Sequence, residues 1–272
     1  MNFIKYVALG NDFVLVDWWD VSVAEVNERL QAASWIDSVK NFCHRKLGVG
    51  ADGVLIVYQD QGRPCSRIFN QDGSDGQFCG NGARALAHYL KHSKHFPDAF
   101  ALRMGDKVVH CEVAQTVSTA IEAGHYSGSG AIHVEQTWTG HRVNIGNPHL
   151  IIFAEVTPEW LKKHGERLEN YFGPAQKTNV EFVWQTGPAS YQMAIFERGV
   201  GYSEACGSGA MAVTQALHVL GSLPELQVID IYMPGGVVKT WIKQGRIYLS
   251  ANVSQVFTGR LSSVLCPLSH EF

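Results

Sequence analysis

The chain has 272 residues and a mass of 30.0 kDa, with 46% hydrophobic and 17% charged residues, which is enough apolar material to bury a core and to exclude disorder as the main state. Lys and Arg number 22 against 25 Asp and Glu, a formal charge of -3, so no global basic field is available for a phosphate backbone and nucleic acid is not an expected partner. No apolar run approaches the ~20 residues of a membrane helix, and the opening MNFIKYVALGND lacks the charged start, long apolar core and cleavage site of a signal peptide, so a cytoplasmic protein without a membrane partner is expected.

In chain order, FIKYVAL and FVLVD read as strands, and VAEVNERLQAASWIDSVKNFCHRKL as an amphipathic outer helix. GVGADG at Gly48 to Gly53 matches the dinucleotide fingerprint literally, but a helix-like segment leads in and the strand VLIVY leads out, the reverse of the required order; it reads as a turn needing positive φ. CSRIFN is a strand. GNGARALAHYLKH follows as a helix, with Ala83, Leu86, Ala87 and Leu90 at helical spacing. His88, His92 and His95 fall at i, i+4 and i+7 there, yet no carboxylate or cysteine supports them, so a polar helix end is read and no metal site. AFALRM and VVHCEV are strands, before a polar, Gly-rich stretch around Gln115 to Gly130. HLIIF is a strand; TPEWLKKHGERLENYF is an outer helix with Thr157 as N-cap and Pro158 in its first turn. Beyond the strands VEFVW and YQMAIF, GSGAMAVTQALHVLG is apolar almost all round, a wholly buried helix ending at Gly221. LQVIDIYM is the next strand, and VVKTWI and RIYLSA form a hairpin across Gln244-Gly245.

An internal repeat organises these elements. RIFNQDGSDGQFCGNGARALAHYL, from Arg67, lies over AIFERGVGYSEACGSGAMAVTQAL, from Ala194, without a gap, at an offset of 127 residues. MGDKVVHCEV from Met104 then resembles MPGGVVKTWI from Met233. Each copy reads strand, Gly-rich turn, cysteine, buried helix, turn, strand, which predicts two similar domains related by a pseudo-two-fold axis, each a sheet around one central helix. The expected division is 1–118, carrying Cys79, and 119–261, carrying Cys206, with a C-terminal strand at 262–272 completing the first domain.

The six cysteines are too sparse for a disulfide scaffold and form no CxxC pair. Cys79 and Cys206 differ from the rest, because each is followed by Gly-x-Gly at a helix start. There the backbone N–H groups are bare and carry roughly half a positive charge, which lowers a thiol's pKa and binds carboxylates. A papain-type hydrolase gains nothing from a second equivalent thiol. A racemase or epimerase needs both, a base on one face of a carbon and an acid on the other. It must also hold the α-carboxylate where negative charge grows. No signature of pyridoxal phosphate, the usual solution to the same problem, is present.

In LGNDF, GVGADG, IFNQDGS, CGNGAR, GNPH, TNVEF, FERG and ACGSGA, in order and with similar spacing, the chain resembles the diaminopimelate epimerase family over essentially its full length. The resemblance implies an α+β fold of two pseudo-symmetric, barrel-like domains, no cofactor, and conversion of LL-2,6-diaminopimelate to the meso form on the route to lysine and peptidoglycan. It implies that Cys79 and Cys206 are the acid/base pair, and that Gly80, Asn81, Gly207 and Ser208 hold the reacting carboxylate. Asn11, Asn70, Asn147, Asn179, Glu197 and Arg198 fall on its substrate-binding positions, with Arg198 suited to a bidentate grip on the distal carboxylate. His149 and Glu197 are the implied assistants of the thiols.

The match thins between Cys111 and Val143. Phe257 stands where the family carries a tyrosine associated with dimer contacts, keeping the apolar part of a homodimer contact and losing its hydroxyl bond. Two other readings use the same thiols: a proline or hydroxyproline racemase, against which Arg198 and the asparagines argue, and a redox-sensing protein in which the thiols form a disulfide.

Overall fold

The structure is a computed structural model that describes residues 1–76 and 78–261. The chain divides into two compact units, Met1–Thr119 with the segment from Asn252 onward, and Ala120–Ala251. Among the described residues no helix is long and apolar enough to cross a membrane.

In the first unit β1 (Asn2–Ala8) and β2 (Asn11–Asp17) form a hairpin whose turn residues, Leu9 and Gly10, both have positive φ. The expected single outer helix is two, α1 (Val23–Gln31) and α2 (Ala33–Cys43), separated by the extended residue Ala32. The break turns Trp35 fully inward, against Trp18, Phe42 and Phe69. Then come β3 (Gly53–Asp60), β4 (Arg63–Asn70), β5 (Asp75–Gly76), α3 (Gly80–Ser93), β6 (Ala99–Met104) and β7 (Lys107–Val113). The helical crossovers make β2 parallel to β3 and β4 parallel to β6, while the short turns make β3–β4 and β6–β7 antiparallel. α3 is buried along almost its whole length inside this sheet.

The edge of the first sheet is closed by the chain's last described strand, β18 (Val253–Arg260), antiparallel to β1. This corrects the expected division, which left that segment in the second domain. The unpaired N–H and C=O groups of β1 need a partner strand, and β18 supplies it. The strand expected at 262–272 lies outside the described residues.

β8 (Val117–Glu122) crosses from one unit to the other. The second unit continues with β9 (His125–Val134), β10 (Gln136–Asn144), β11 (Pro148–Ile152), α4 (Pro158–Glu169), β12 (Asn179–Gly187), β13 (Ser190–Glu197), β14 (Gly201–Ser203), α5 (Gly207–Val219), β15 (Ile229–Met233), β16 (Gly236–Lys243) and β17 (Arg246–Ala251). Its pairings repeat the first unit's: β9–β10 and β10–β11 antiparallel, β11–β12 parallel across α4, β12–β13 antiparallel, β13–β15 parallel across α5. β9 thus occupies the place that β18 takes in the first unit. α5 is enclosed by β9 to β12, β16 and β17, which explains why its sequence is apolar all round. The fold is therefore α+β, two units of like topology, each a sheet wrapped about one buried helix.

Candidate active site

Cys79 is the N-cap residue of α3 and Cys206 the N-cap residue of α5. Each has extended backbone, and each sulfur accepts the N–H of the residue three positions on: Gly82 at 3.4 Å for Cys79, Gly209 at 3.2 Å for Cys206. Those glycines are required by close packing. A β-carbon on Gly82 would lie 2.9 Å from Leu55 Cδ2, and one on Gly209 would lie 2.7 Å from Glu181 Oε1.

In the first unit the expected residues Asn11, Asn81 and Cys79 come together at this turn. Gly80 and Asn81 are buried in it, and the Asn81 amide donates to Asn11 Oδ1 at 2.6 Å. Asn11 in turn donates to Asp52 at 3.1 Å. Asp52 pairs with Arg45, and Asp12 pairs with both Arg45 and Lys5. Burial would raise the Asp12 carboxyl, but hydrogen bonds and charge from Arg45 and Lys5 outweigh it and hold the pKa at about 2. Asn70 stands apart, its amide donating to Ser74 Oγ at 2.9 Å in the turn after β4.

In the second unit the bonds run further. Asn147 donates from Nδ2 to Ser208 Oγ at 3.3 Å, and Ser208 Oγ lies 3.3 Å from the Cys206 sulfur. Asn147 Oδ1 is 3.1 Å from His149 Nε2, and His149 Nδ1 is 2.7 Å from Glu181 Oε1, with both side chains fully buried. Both ring nitrogens of His149 thus lie within hydrogen-bond reach of an oxygen. Burial raises the Glu197 carboxyl above its usual range, helped by the charge of Glu181 and opposed by hydrogen bonds with Ser203 and Cys206. Burial also pushes the Cys206 thiol well up, with Glu197 and Glu181 adding to the effect and the Ser208 and Gly209 hydrogen bonds opposing it.

Asn179 is spent on backbone: its amide donates to the Pro148 carbonyl at 3.0 Å and its oxygen accepts the Arg198 N–H at 2.9 Å. This fixes the stem of Arg198, whose side chain lines a pocket with His149, Arg142, Lys177 and Phe172. Two charged residues are absent from the sequence-based set, Glu181 and Arg84, and both are completely buried. Each sits inside a quoted motif, TNVEF or CGNGAR, where a charge among apolar neighbours was the available signal. Among the described residues no cluster of three or more His, Cys, Asp or Glu is arranged to hold a metal ion.

Two units of one topology, each with a thiol capping its buried helix, define an enzyme of the racemase and epimerase class. The fold is shared with a hydroxyproline epimerase from Agrobacterium vitis, at a TM-score of 0.69 and 12% identity over 95% of this chain and 91% of that one. It is shared too with a phenazine biosynthesis protein of Bacillus anthracis, at 0.67 and 10% over 96% and 99%. The model described as diaminopimelate epimerase matches residues 3–126 and 142–256, and the gap between them falls where the family pattern thins. The chain is 31% identical over 280 residues to the diaminopimelate epimerase of Carboxydothermus hydrogenoformans, covering 95% of this chain and 98% of the relative. It is 32% identical over 274 residues to that of Bacteroides thetaiotaomicron, covering 96% and 98%. The chain belongs to the diaminopimelate epimerase family.

Proposed function

We propose that this protein converts LL-2,6-diaminopimelate to the meso form by exchanging the proton on one α-carbon, a cytoplasmic step toward lysine and peptidoglycan. The observation that carries the reading is the duplicated N-cap thiol. One of Cys79 and Cys206 takes the α-proton as a thiolate, and the other delivers its thiol proton to the opposite face, so each turnover exchanges their charge states. Gly80, Asn81, Gly207 and Ser208 hold the α-carboxylate through N–H groups at the helix N-termini, where charge developing on the carbanion is stabilised without reorganisation. Arg198 forks the distal carboxylate, while Asn11, Asn70, Asn147 and Glu197 form the polar set that reads the distal amino-acid end, and Asn179 serves that end by holding the Arg198 backbone. His149 and Glu197 assist Cys206. We extend the reading to a homodimer through the exposed Phe257 face of β18, tested by sedimentation.

The functional test is a screen for deuterium incorporation from D₂O at the α-carbon of diaminopimelate, lysine, proline and hydroxyproline. Diaminopimelate alone should exchange. Exchange of proline or hydroxyproline without diaminopimelate would make the protein a racemase of another amino acid, and no exchange at all would leave a thiol redox role.

A further inference from the structure

The guanidinium of Arg84 lies completely buried beside the first turn of α3. One nitrogen donates to Asn81 Oδ1, while Nε and Nη1 have no hydrogen-bond partner among the described residues. Nη1 faces the backbone at Gly80, 3.8 Å from where a β-carbon there would be. Side chains on a helix lean toward its N-terminus, so the charge is directed at the turn that Cys79 caps. Stability alone gives no reason for this arrangement. An unpartnered buried cation costs free energy, and the repeat places Met211 at the corresponding position of α5.

Arg84 is a fully buried cation beside this turn, and the groups around it have interactions of their own. Leu55 of β3 and Ile68 of β4 pack there as apolar groups. Asp12 and Asp52 are tied to Lys5 and Arg45, and Asp75 to Arg67. Tyr6 of β1 bonds His88, Tyr89 bonds Asp17, and the Lys107 ammonium lies over the Phe78 ring at 5.8 Å. Around Cys206 the sign is reversed, with Glu181 behind Gly209 and Glu197 against the sulfur.

We infer that Arg84 is a positioning residue for the thiol pair: its buried charge holds Cys79 as the thiolate in the resting enzyme and sets the Asn81 amide, while Cys206, facing Glu181 and Glu197, keeps its proton. Burial lowers the Arg84 pKa to about 10, with the Cys79 charge opposing, so the cation persists at neutral pH. The inference rests on the acid/base reading of the two thiols and gives the pair a defined starting state.

The test maps iodoacetamide labelling of Cys79 and Cys206 by mass spectrometry between pH 5 and pH 9, without substrate, in the parent, Arg84→Met and Arg84→Lys. In Arg84→Met the Cys79 midpoint should rise by about one pH unit or more, slowing labelling about tenfold below the midpoint, while Cys206 is unmoved. Arg84→Lys should stay within about threefold of the parent, because it keeps the charge. Arg84→Met should also melt at or above the parent temperature, since it removes an uncompensated buried charge. An unchanged Cys79 profile, a lysine variant that behaves like the methionine one, or a methionine variant that does not fold would each overturn the inference. Labelling needs no substrate, so its failure is distinct from failure of the epimerase reading, which the deuterium screen decides.

Discussion

Ile68 and Ile195 hold the same place in the two copies of the repeat, and the residues facing them across the strand ladder are Leu55 in the first unit and Glu181 in the second. The same registers set Phe13 against His149, Asn11 against Asn147, and Asn70 against Glu197. The amide links to the helix turn are kept, from Asn81 to Asn11 in one unit and from Asn147 to Ser208 in the other. The charges are not kept: the first unit buries Arg84 where the second has Met211, and the second buries Glu181 and His149 where the first has Leu55 and Phe13. Backbone donors are duplicated, as the proposed binding of a carboxylate and a thiolate at the partial positive charge of a helix start requires. On the proposed mechanism the side chains differ because one thiol begins as base and the other as acid.

The largest effects should come from removing either thiol. Cys79→Ala and Cys206→Ala should each lower epimerisation by about a thousandfold or more. Each should still eliminate halide from a β-halogenated diaminopimelate of one configuration at the reacting carbon, since removal of a proton next to a leaving group needs only the base. The two variants should prefer opposite diastereomers, measured as product formed from the separated isomers. If both eliminate from the same diastereomer, the two thiols do not serve opposite faces.

Glu181→Gln sharpens the comparison from the second unit alone. It keeps the shape against Gly209 but takes the carboxylate from His149, and should cost about tenfold or more in kcat. With one of the two facing carboxylates gone, labelling of Cys206 should shift to lower pH while Cys79 stays where it was. A shift at both thiols, or at neither, would deny Glu181 its selective effect.

Much of this layout is legible in the sequence, because the gapless 127-residue repeat carries the strands, cysteines and buried helices together. The Glu181 counterpart is not. Leu55 and Ile68 are 13 positions apart, whereas Glu181 and Ile195 are 14 apart, and a register shift between Gln185 and Gly187 absorbs the extra residue. A gapless overlay therefore sets Glu181 against Val54, on the wrong face of the strand. The break at Ala32 was hidden because helical spacing continues through it, and the return of β18 to the first sheet depends on an edge that only the assembled sheet defines.

Arg198 has no arginine counterpart in the first unit, where the repeat places Gln71, so it tests the part of the site proposed to read the distal end. Arg198→Lys keeps the charge and loses the planar fork. It should reduce kcat/KM for diaminopimelate by more than about tenfold, or about 1.4 kcal/mol. Near-parental kcat/KM would remove Arg198 from the set that grips the distal carboxylate.

The smallest effect belongs to Asp12, whose place in the second unit is taken by Pro148. Its carboxyl is held at about 2 against the ordinary 3.8, so its pairing with Arg45 and Lys5 stabilises the fold fully above the ordinary value and is lost as pH falls through about 2. Because the cluster is partly open to solvent, the contribution is about 1 kcal/mol after screening. Amide exchange, corrected for its intrinsic pH dependence, should therefore accelerate in the β1–β2 hairpin and residues 44–52 between pH 4 and pH 2, before it does in β10 and β11. Asp12→Asn should remove that acid step. At neutral pH the same variant should already exchange faster there, because Lys5, only 7% exposed, loses its counter-charge. Simultaneous loss of protection in both units, or an unaltered acid step in Asp12→Asn, would show that the ion cluster does not distinguish the first unit's stability from the second's.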